Sequence, residues 1–259
     1  SRRMVPYLDI PTLQLGPLSI QPFGFLVCLG IIVGWFIAKR RAMQVGLDVK
    51  VVRDLVRLCI VFGLFGAHLV HLLAYHPEEL AASPWALFKV WAGMSSYGGM
   101  FSATIACAIY MRIYRVPFLP YADVLVFAFM HIWFFGRLGC TTAHDHPGHL
   151  SQFWLAVKFP NGPRHDLGFY EWLLCFLWIP FVHWIGRKKQ VDDPPRGTLL
   201  HAMLVAYSVP RFFLDFLRAY DLAYRDVRYF GLTPAQYACI ACTLIGIRFL
   251  LKSKKPRTA

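Results

Sequence analysis

The chain reads as an all-α polytopic membrane protein. Seven transmembrane helices are expected, with the N-terminus out, the C-terminus in and a small extracytoplasmic cap. Three observations predict this class. Of 259 residues, 57% are hydrophobic and only 16% charged, against roughly 45–50% and a quarter in soluble domains. Apolar runs recur at the length of about 20 residues that a bilayer core demands. Lys/Arg clusters close alternate runs, as the positive-inside rule requires. The net charge of +13 therefore collects beside apolar runs instead of on a soluble face. The lipid bilayer is the expected partner, and nucleic acid is excluded. A single domain over 1–259 is expected, with the cap at 138–168.

The spans are read at about 20–38, 52–74, 98–111, 119–136, 169–186, 199–217 and 233–251. The third is short and is extended backward through the Gly-rich stretch Trp91 to Tyr97. Arg137 and Arg211 interrupt the fourth and sixth. Lys39-Arg40-Arg41 closes the first span, Arg112 and Arg115 the third, Arg187-Lys188-Lys189 the fifth, and Lys252, Lys254 and Lys255 the seventh. All four clusters follow odd-numbered spans, so they share one side, the cytoplasmic one. The outward connections are then 75–90, about 138–168, and 218–232. The middle one holds His144, His146, His149 and His165, with turn signals at Pro147-Gly148 and Asn161-Gly162-Pro163.

Ser1-Arg2-Arg3 ahead of Met4 stay outside the reading, and no cleavable signal peptide is expected. Of seven cysteines, only Cys140 stands at the end of an apolar run, so no disulfide framework is expected. His144-Asp145-His146 is too compact in sequence to share one helical face and is read as cap loop. No metal and no cofactor are expected.

Charges inside apolar runs are costly and point to function. Arg137, in Phe-Phe-Gly-Arg-Leu-Gly, has two readings: a guanidinium snorkelling to the interface, or a bidentate phosphate ligand. Gly136 and Gly139 beside it permit close approach of backbone or ligand. Tyr207, Arg211, Asp215 and Arg218, at spacings of four, four and three, share one helix face. They form either a self-satisfied ion pair or a polar wall in which Asp215 orients Arg211, and Pro210 allows a kink. Ser95, Ser96 and Tyr97 precede Gly98 and Gly99, a glycine pair that also suits close helix packing. His68 and His71 stand on adjacent turns, suited to a bond with a neighbouring helix or to proton handling. Glu171, just inside the fifth span after Arg164-His165-Asp166 and Tyr170, requires a cationic partner.

Laid out in order, these residues resemble the bacterial prolipoprotein diacylglyceryl transferases over nearly the whole length, from about Leu18 to Leu251. Gly136-Arg137-Leu138-Gly139, with Asp145 and Gly148 beyond, resembles the family signature. Arg164-His165 followed by Tyr170-Glu171 is similar to its Arg-His-Pro-x-Gln-x-Tyr-Glu segment. Tyr207, Arg211, Asp215 and Arg218 resemble its late Tyr-x-x-x-Arg-x-x-x-Glu-x-x-Arg helix, with Asp for Glu. Gln236 fits a glutamine of the last span. Four positions depart: Tyr97 replaces the histidine of His-Gly-Gly, Cys140 an asparagine, Phe23 a tyrosine and His68 an arginine.

The resemblance implies transfer of diacylglyceryl from phosphatidylglycerol to the lipobox cysteine of a preprolipoprotein signal peptide, releasing glycerol phosphate. It implies the bacterial inner membrane, with the site in the periplasmic half. The implied catalytic residues are Arg137, Arg211, Tyr97, Asp215 and His68. The implied substrate contacts are Gly98, Gly99, Gly139, Cys140, Asp145, Glu171, Tyr207 and Arg218. The acceptor thiol must become thiolate. Either His68 or His71 takes its proton, or Tyr97 only binds the headgroup and the arginines supply most of the catalysis. Two alternatives stay open: a related transferase with another donor or acceptor, and an inactive lipid- or lipoprotein-binding homologue.

Overall fold

A computed structural model of the chain describes residues 4–15, 18–75, 77–89, 96–188, 197–222 and 228–253. The stretch Trp91 to Ser95 and the cluster members Lys189, Lys254 and Lys255 lie outside the described residues, as does the side chain of Tyr97. Eight α-helices are formed among the described residues: α1 Pro22–Gln44, α2 Val49–Val70, α3 Pro77–Ala82, α4 Ser96–Ile113, α5 Phe118–Ala143, α6 Leu167–Lys188, α7 Thr198–Leu214 and α8 Pro234–Ser253. Among the described residues six helices are long and apolar enough to cross a membrane, with mean hydropathies of 1.3 to 1.9, and the helix Gly98–Ile113 is a shorter apolar one. The protein is thus a mostly helical, polytopic membrane protein.

One boundary shift matters for the site. The span read to 136 continues as helix to Ala143, because Arg137 finds buried partners and its charge does not end the helix.

The chain divides into two compact units, Ser1–Ile37 with Val126–Ala259, and Ala38–Leu125. In the larger unit, α1 meets α5 through glycines. A Cβ on Gly30 would fall 2.9 Å from Phe135 Cβ, and one on Gly34 2.3 Å from Ile132 Cγ1. This is the small-residue spacing that lets membrane helices approach closely. Phe127, Met130, Cys175, Trp178, Val182, Leu199 and Met203 build an apolar core from α5, α6 and α7, and Trp178 Nε1 donates to Ala206 O at 2.9 Å. His201 stacks on Phe249 at 3.7 Å between α7 and α8.

Between α5 and α6 the chain forms a three-stranded antiparallel sheet. Its strands are Pro147–Leu150, Val157–Phe159 and Gly162–Asp166, with the last in the middle. Gly148 is required here, since a Cβ would lie 2.5 Å from Leu217 O. Arg164 Nη1 donates to Asp221 Oδ1 at 3.0 Å, and this pairing holds the Asp221 carboxyl below its usual range. Burial, with His149 adding to it, lowers the pKa of His165. Asp166 then caps α6 by accepting the Phe169 N–H at 3.0 Å.

In the smaller unit, α2 and α4 pack through Gly63, Gly66, Gly98 and Gly99. A Cβ on Gly98 would sit 2.5 Å from Val70 Cβ and 2.6 Å from Gly66 O. His68 is buried, its Nε2 2.8 Å from Ala86 O. His71 opens a π-turn, His71–Tyr75, that prolongs α2. Cys59 and Cys107 face each other as free thiols, 3.5 Å apart.

Two predictions follow from this packing. Gly98→Ala forces α2 and α4 apart and should destabilise the protein by roughly 1–3 kcal/mol. Gly24→Ala, which meets nothing within 4 Å, should leave the detergent melting temperature unchanged. His165 is held below its ordinary value, so the unfolded chain binds its proton first. Its contribution to stability is complete above about pH 6.5 and declines as pH falls below it. His165→Gln should therefore flatten the decline in melting temperature between about pH 7 and pH 5.

Candidate functional site

Arg137, Glu171, Arg211 and Asp215 of the larger unit form one connected chain of charges. Arg137 projects from α5, Glu171 from the first turn of α6, and Tyr207 and Arg211 from α7. Glu171 is fully buried, with Arg137 at 8% and Arg211 at 6% exposure. Arg137 Nε lies 2.9 Å from Glu171 Oε2, and Arg211 Nε lies 3.3 Å from Oε1 of the same carboxylate. Tyr207 donates its hydroxyl to Oε2 at 3.3 Å. Arg211 Nη2 reaches Asp215 Oδ1 at 3.2 Å, one turn on.

Asp215 sits in the 3₁₀ turn Asp215–Leu217 that ends the α7 segment. It accepts from Arg218 Nε at 2.8 Å and from the Thr233 hydroxyl. Gln236 ties α8 to the same place by donating from Nε2 to Phe212 O at 3.1 Å. The guanidinium of Arg137 also lies over the Trp133 ring, 4.3 Å from its centroid, a favourable cation–π position.

Two features give this chain its chemistry. Three guanidiniums (Arg137, Arg211 and Arg218) close on two carboxylates (Glu171 and Asp215), so that each carboxylate is shared by two arginines. Hydrogen-bonding capacity is also left over. Among the described residues, Arg211 Nη1, the Trp133 indole N–H and Glu171 Oε1 are buried without a hydrogen-bond partner, and the Arg137 Nε approach to Glu171 is an ion pair without hydrogen-bond geometry. An unmet buried donor costs about 1–3 kcal/mol, so such groups are retained where an anion can use them.

The structure thus brings together Arg137, Glu171, Tyr207, Arg211, Asp215 and Arg218. Arg137 is buried and paired, which removes the snorkelling reading. Cys140 belongs to the same neighbourhood, its Sγ 3.9 Å from Arg137 Nη1. Asp145 is exposed and contacts His146 just beyond α5. Gly139 packs on Phe23, whose Cδ2 would lie 2.9 Å from an added Cβ. Tyr97, Gly98, Gly99 and His68 belong to the smaller unit, where both glycines lie against α2.

Sequence reasoning missed Trp133 and Thr233, and it named Asp166 only as part of the approach to the fifth span. The Asp166 signal was available as an N-cap residue ahead of an apolar helix. Trp133 stands four residues before Arg137 and is legible as its same-face neighbour.

Residues 11–252 match the profile of the prolipoprotein diacylglyceryl transferase family. Similar relatives are phosphatidylglycerol–prolipoprotein diacylglyceryl transferases. That of Chromohalobacter salexigens is 27% identical, covering 96% of this chain and 94% of the relative. That of Nitratidesulfovibrio vulgaris is 29% identical, covering 96% and 95%. That of Methylococcus capsulatus is 28% identical, covering 98% of each. A profile match running almost from end to end, over a chain that carries this buried ion-pair network, means that the chain belongs to the prolipoprotein diacylglyceryl transferase family.

Proposed function

We propose that this protein transfers the diacylglyceryl group of phosphatidylglycerol to the lipobox cysteine thiol of preprolipoproteins and releases glycerol phosphate. The observation that carries the reading is the buried Arg137–Glu171–Arg211 chain, in which two guanidiniums share one carboxylate and Arg211 Nη1 is left unmet. The phosphate is both the part of the donor that must be recognised and the leaving group. Guanidinium groups suit both tasks, because they match phosphate in planar, bidentate geometry and stabilise charge that grows as the C–O bond breaks. Glu171 sets the two arginines on one carboxylate, and Asp215 orients Arg211. Tyr207 and Arg218 complete the wall.

In this reading Gly139, Cys140 and Asp145 line the acceptor side. Tyr97, with Gly98 and Gly99, contributes to headgroup binding as the family resemblance implies, and His68 to proton handling. The short apolar helix α4 is taken as a seventh span, with the N-terminus outside. The segment 138–168 is the extracytoplasmic cap of one membrane domain, in the bacterial inner membrane with the site in its periplasmic half. The distribution of Lys/Arg clusters supports this orientation.

The test is transfer to a lipobox peptide by the purified protein, with the thioether product identified by mass spectrometry. Arg211→Ala should lower turnover at least about 100-fold, the scale of losing one charge-stabilising donor, while Tyr97→Phe should retain appreciable activity. Full turnover by Arg211→Ala would sink the phosphate-clamp role. Glu171→Gln leaves two buried guanidiniums without their shared carboxylate. It should destabilise the protein by about 3–5 kcal/mol, read as a fall in melting temperature in detergent.

A further inference from the structure

At the C-terminal end of α5, next to Arg137, three further metal-ligating groups come together. Cys140, Asp145 and His146 each offer one donor atom, and these atoms all lie within 4.8 Å of one another. The compact His144-Asp145-His146 sequence could not do this on one helical face. A chain reversal does it instead. The helix ends at Ala143, and His144 adopts the left-handed conformation with φ 50°, while its N–H bonds Cys140 O at 2.9 Å. Such a residue ends a helix and turns the chain back on its last turn, which leaves Asp145 and His146 beside Cys140. Both ring nitrogens of His144 are engaged outside the cluster, Nδ1 2.8 Å from Asp166 Oδ2 and Nε2 3.2 Å from Leu8 O, whereas His146 Nδ1 contacts Asp145 within it.

One thiol, one imidazole and one carboxylate form a donor set for a borderline-soft divalent metal, zinc above all. The charges agree. A thiolate and a carboxylate neutralise a dication, and the neighbouring Arg137 is paired to Glu171, 2.9 Å away, which it shares with Arg211. Access agrees too, because the His146 and Asp145 side chains are 23% and 44% exposed while Cys140 is buried. Three protein ligands leave a fourth position open, the pattern of a catalytic zinc site.

We infer that Cys140, Asp145 and His146 hold a zinc ion whose open position receives the acceptor cysteine thiol, next to the Arg137 phosphate ligand. This rests on the transferase reading for its chemical role, though not for metal binding itself. A thiol bound to zinc gives up its proton, here to solvent. The sulfur lone pair then forms the C–S bond to the glyceryl carbon. The bond from that carbon to the phosphate oxygen breaks, and its electron pair leaves with glycerol phosphate. Nothing is oxidised or reduced. The thiolate arises without a histidine base, in a chain that has Tyr97 where its family has histidine.

The experiment uses the full chain purified in detergent, with zinc measured as isolated and again after chelation and titration with Co²⁺. About one metal per chain is expected, with tetrahedral d–d absorption and a thiolate-to-cobalt charge-transfer band, as a site of this ligand set requires. Cys140→Ser should lose the charge-transfer band, and His146→Ala should bind Co²⁺ at least about tenfold more weakly, the lower end of the losses seen even for second-shell changes. Arg211→Ala should bind it as the parent does. Equal Co²⁺ spectra for the parent and Cys140→Ser, or no bound metal in either, would overturn the site. A metal-stripped parent that transfers diacylglyceryl at the full rate would overturn its role in activating the thiol. A parent that binds metal with these spectra but transfers nothing leaves the site standing and removes the transferase reading instead.

Discussion

The Glu171 carboxylate, fully buried and shared by Arg137 and Arg211, is the interaction on which the rest of the structure turns. A lone carboxylate in a membrane interior is prohibitively costly, so the two guanidiniums make its burial possible. Their residues come from α5 and α7, so one charged group on α6 ties three spanning helices together. Asp215 carries the chain onward to α8 through Thr233, and Gln236 closes the contact from the far side. Buried ion pairs are poor sources of net stability, since desolvation offsets most of their attraction. Their retention in this apolar bundle is better explained by ligand binding than by folding.

That distinction separates the two kinds of polar group in this protein. Arg164 and Asp221 pair at the solvent side of the small sheet, and each donor of the Arg164 fork that faces Asp221 meets an oxygen. The Arg211 guanidinium, by contrast, pairs on Nε and Nη2 and keeps a buried Nη1 unmet. A structural ion pair would be expected to satisfy itself. A phosphate site must hold capacity in reserve.

Much of this architecture was legible in the residues. Apolar runs of bilayer length marked most ends of the long helices to within about three residues, while α1 runs on to Gln44 and α5 to Ala143. The spacing of Tyr207, Arg211, Asp215 and Arg218 placed them in one cluster, and Glu171 was recognisable as needing a cation. The illegible parts share a physical cause, which is contact between segments distant in sequence. Arg137 reads as the end of a span only until its partner 34 residues later is known, and α5 in fact runs on to Ala143. Gly98 and Gly99 carry the family motif, yet in the smaller unit their missing side chains serve the approach of α2. The Cys140–Asp145–His146 cluster depends on the left-handed turn at His144, which helical periodicity cannot reveal.

In the proposed reading the clamp and the metal-ligating cluster divide the reaction between them at the end of α5. Arg137 would serve the departing phosphate, and Cys140, less than one turn on, the attacking sulfur. One helix would then carry a ligand for each partner, the arrangement that favours in-line displacement. The most direct measurement is a density map of the protein solved with phosphatidylglycerol. The predicted result is a lipid phosphate within hydrogen-bond distance of both Arg137 and Arg211, with Arg211 Nη1 satisfied. A phosphate bound elsewhere, with both guanidiniums still closed on Glu171, would contradict it.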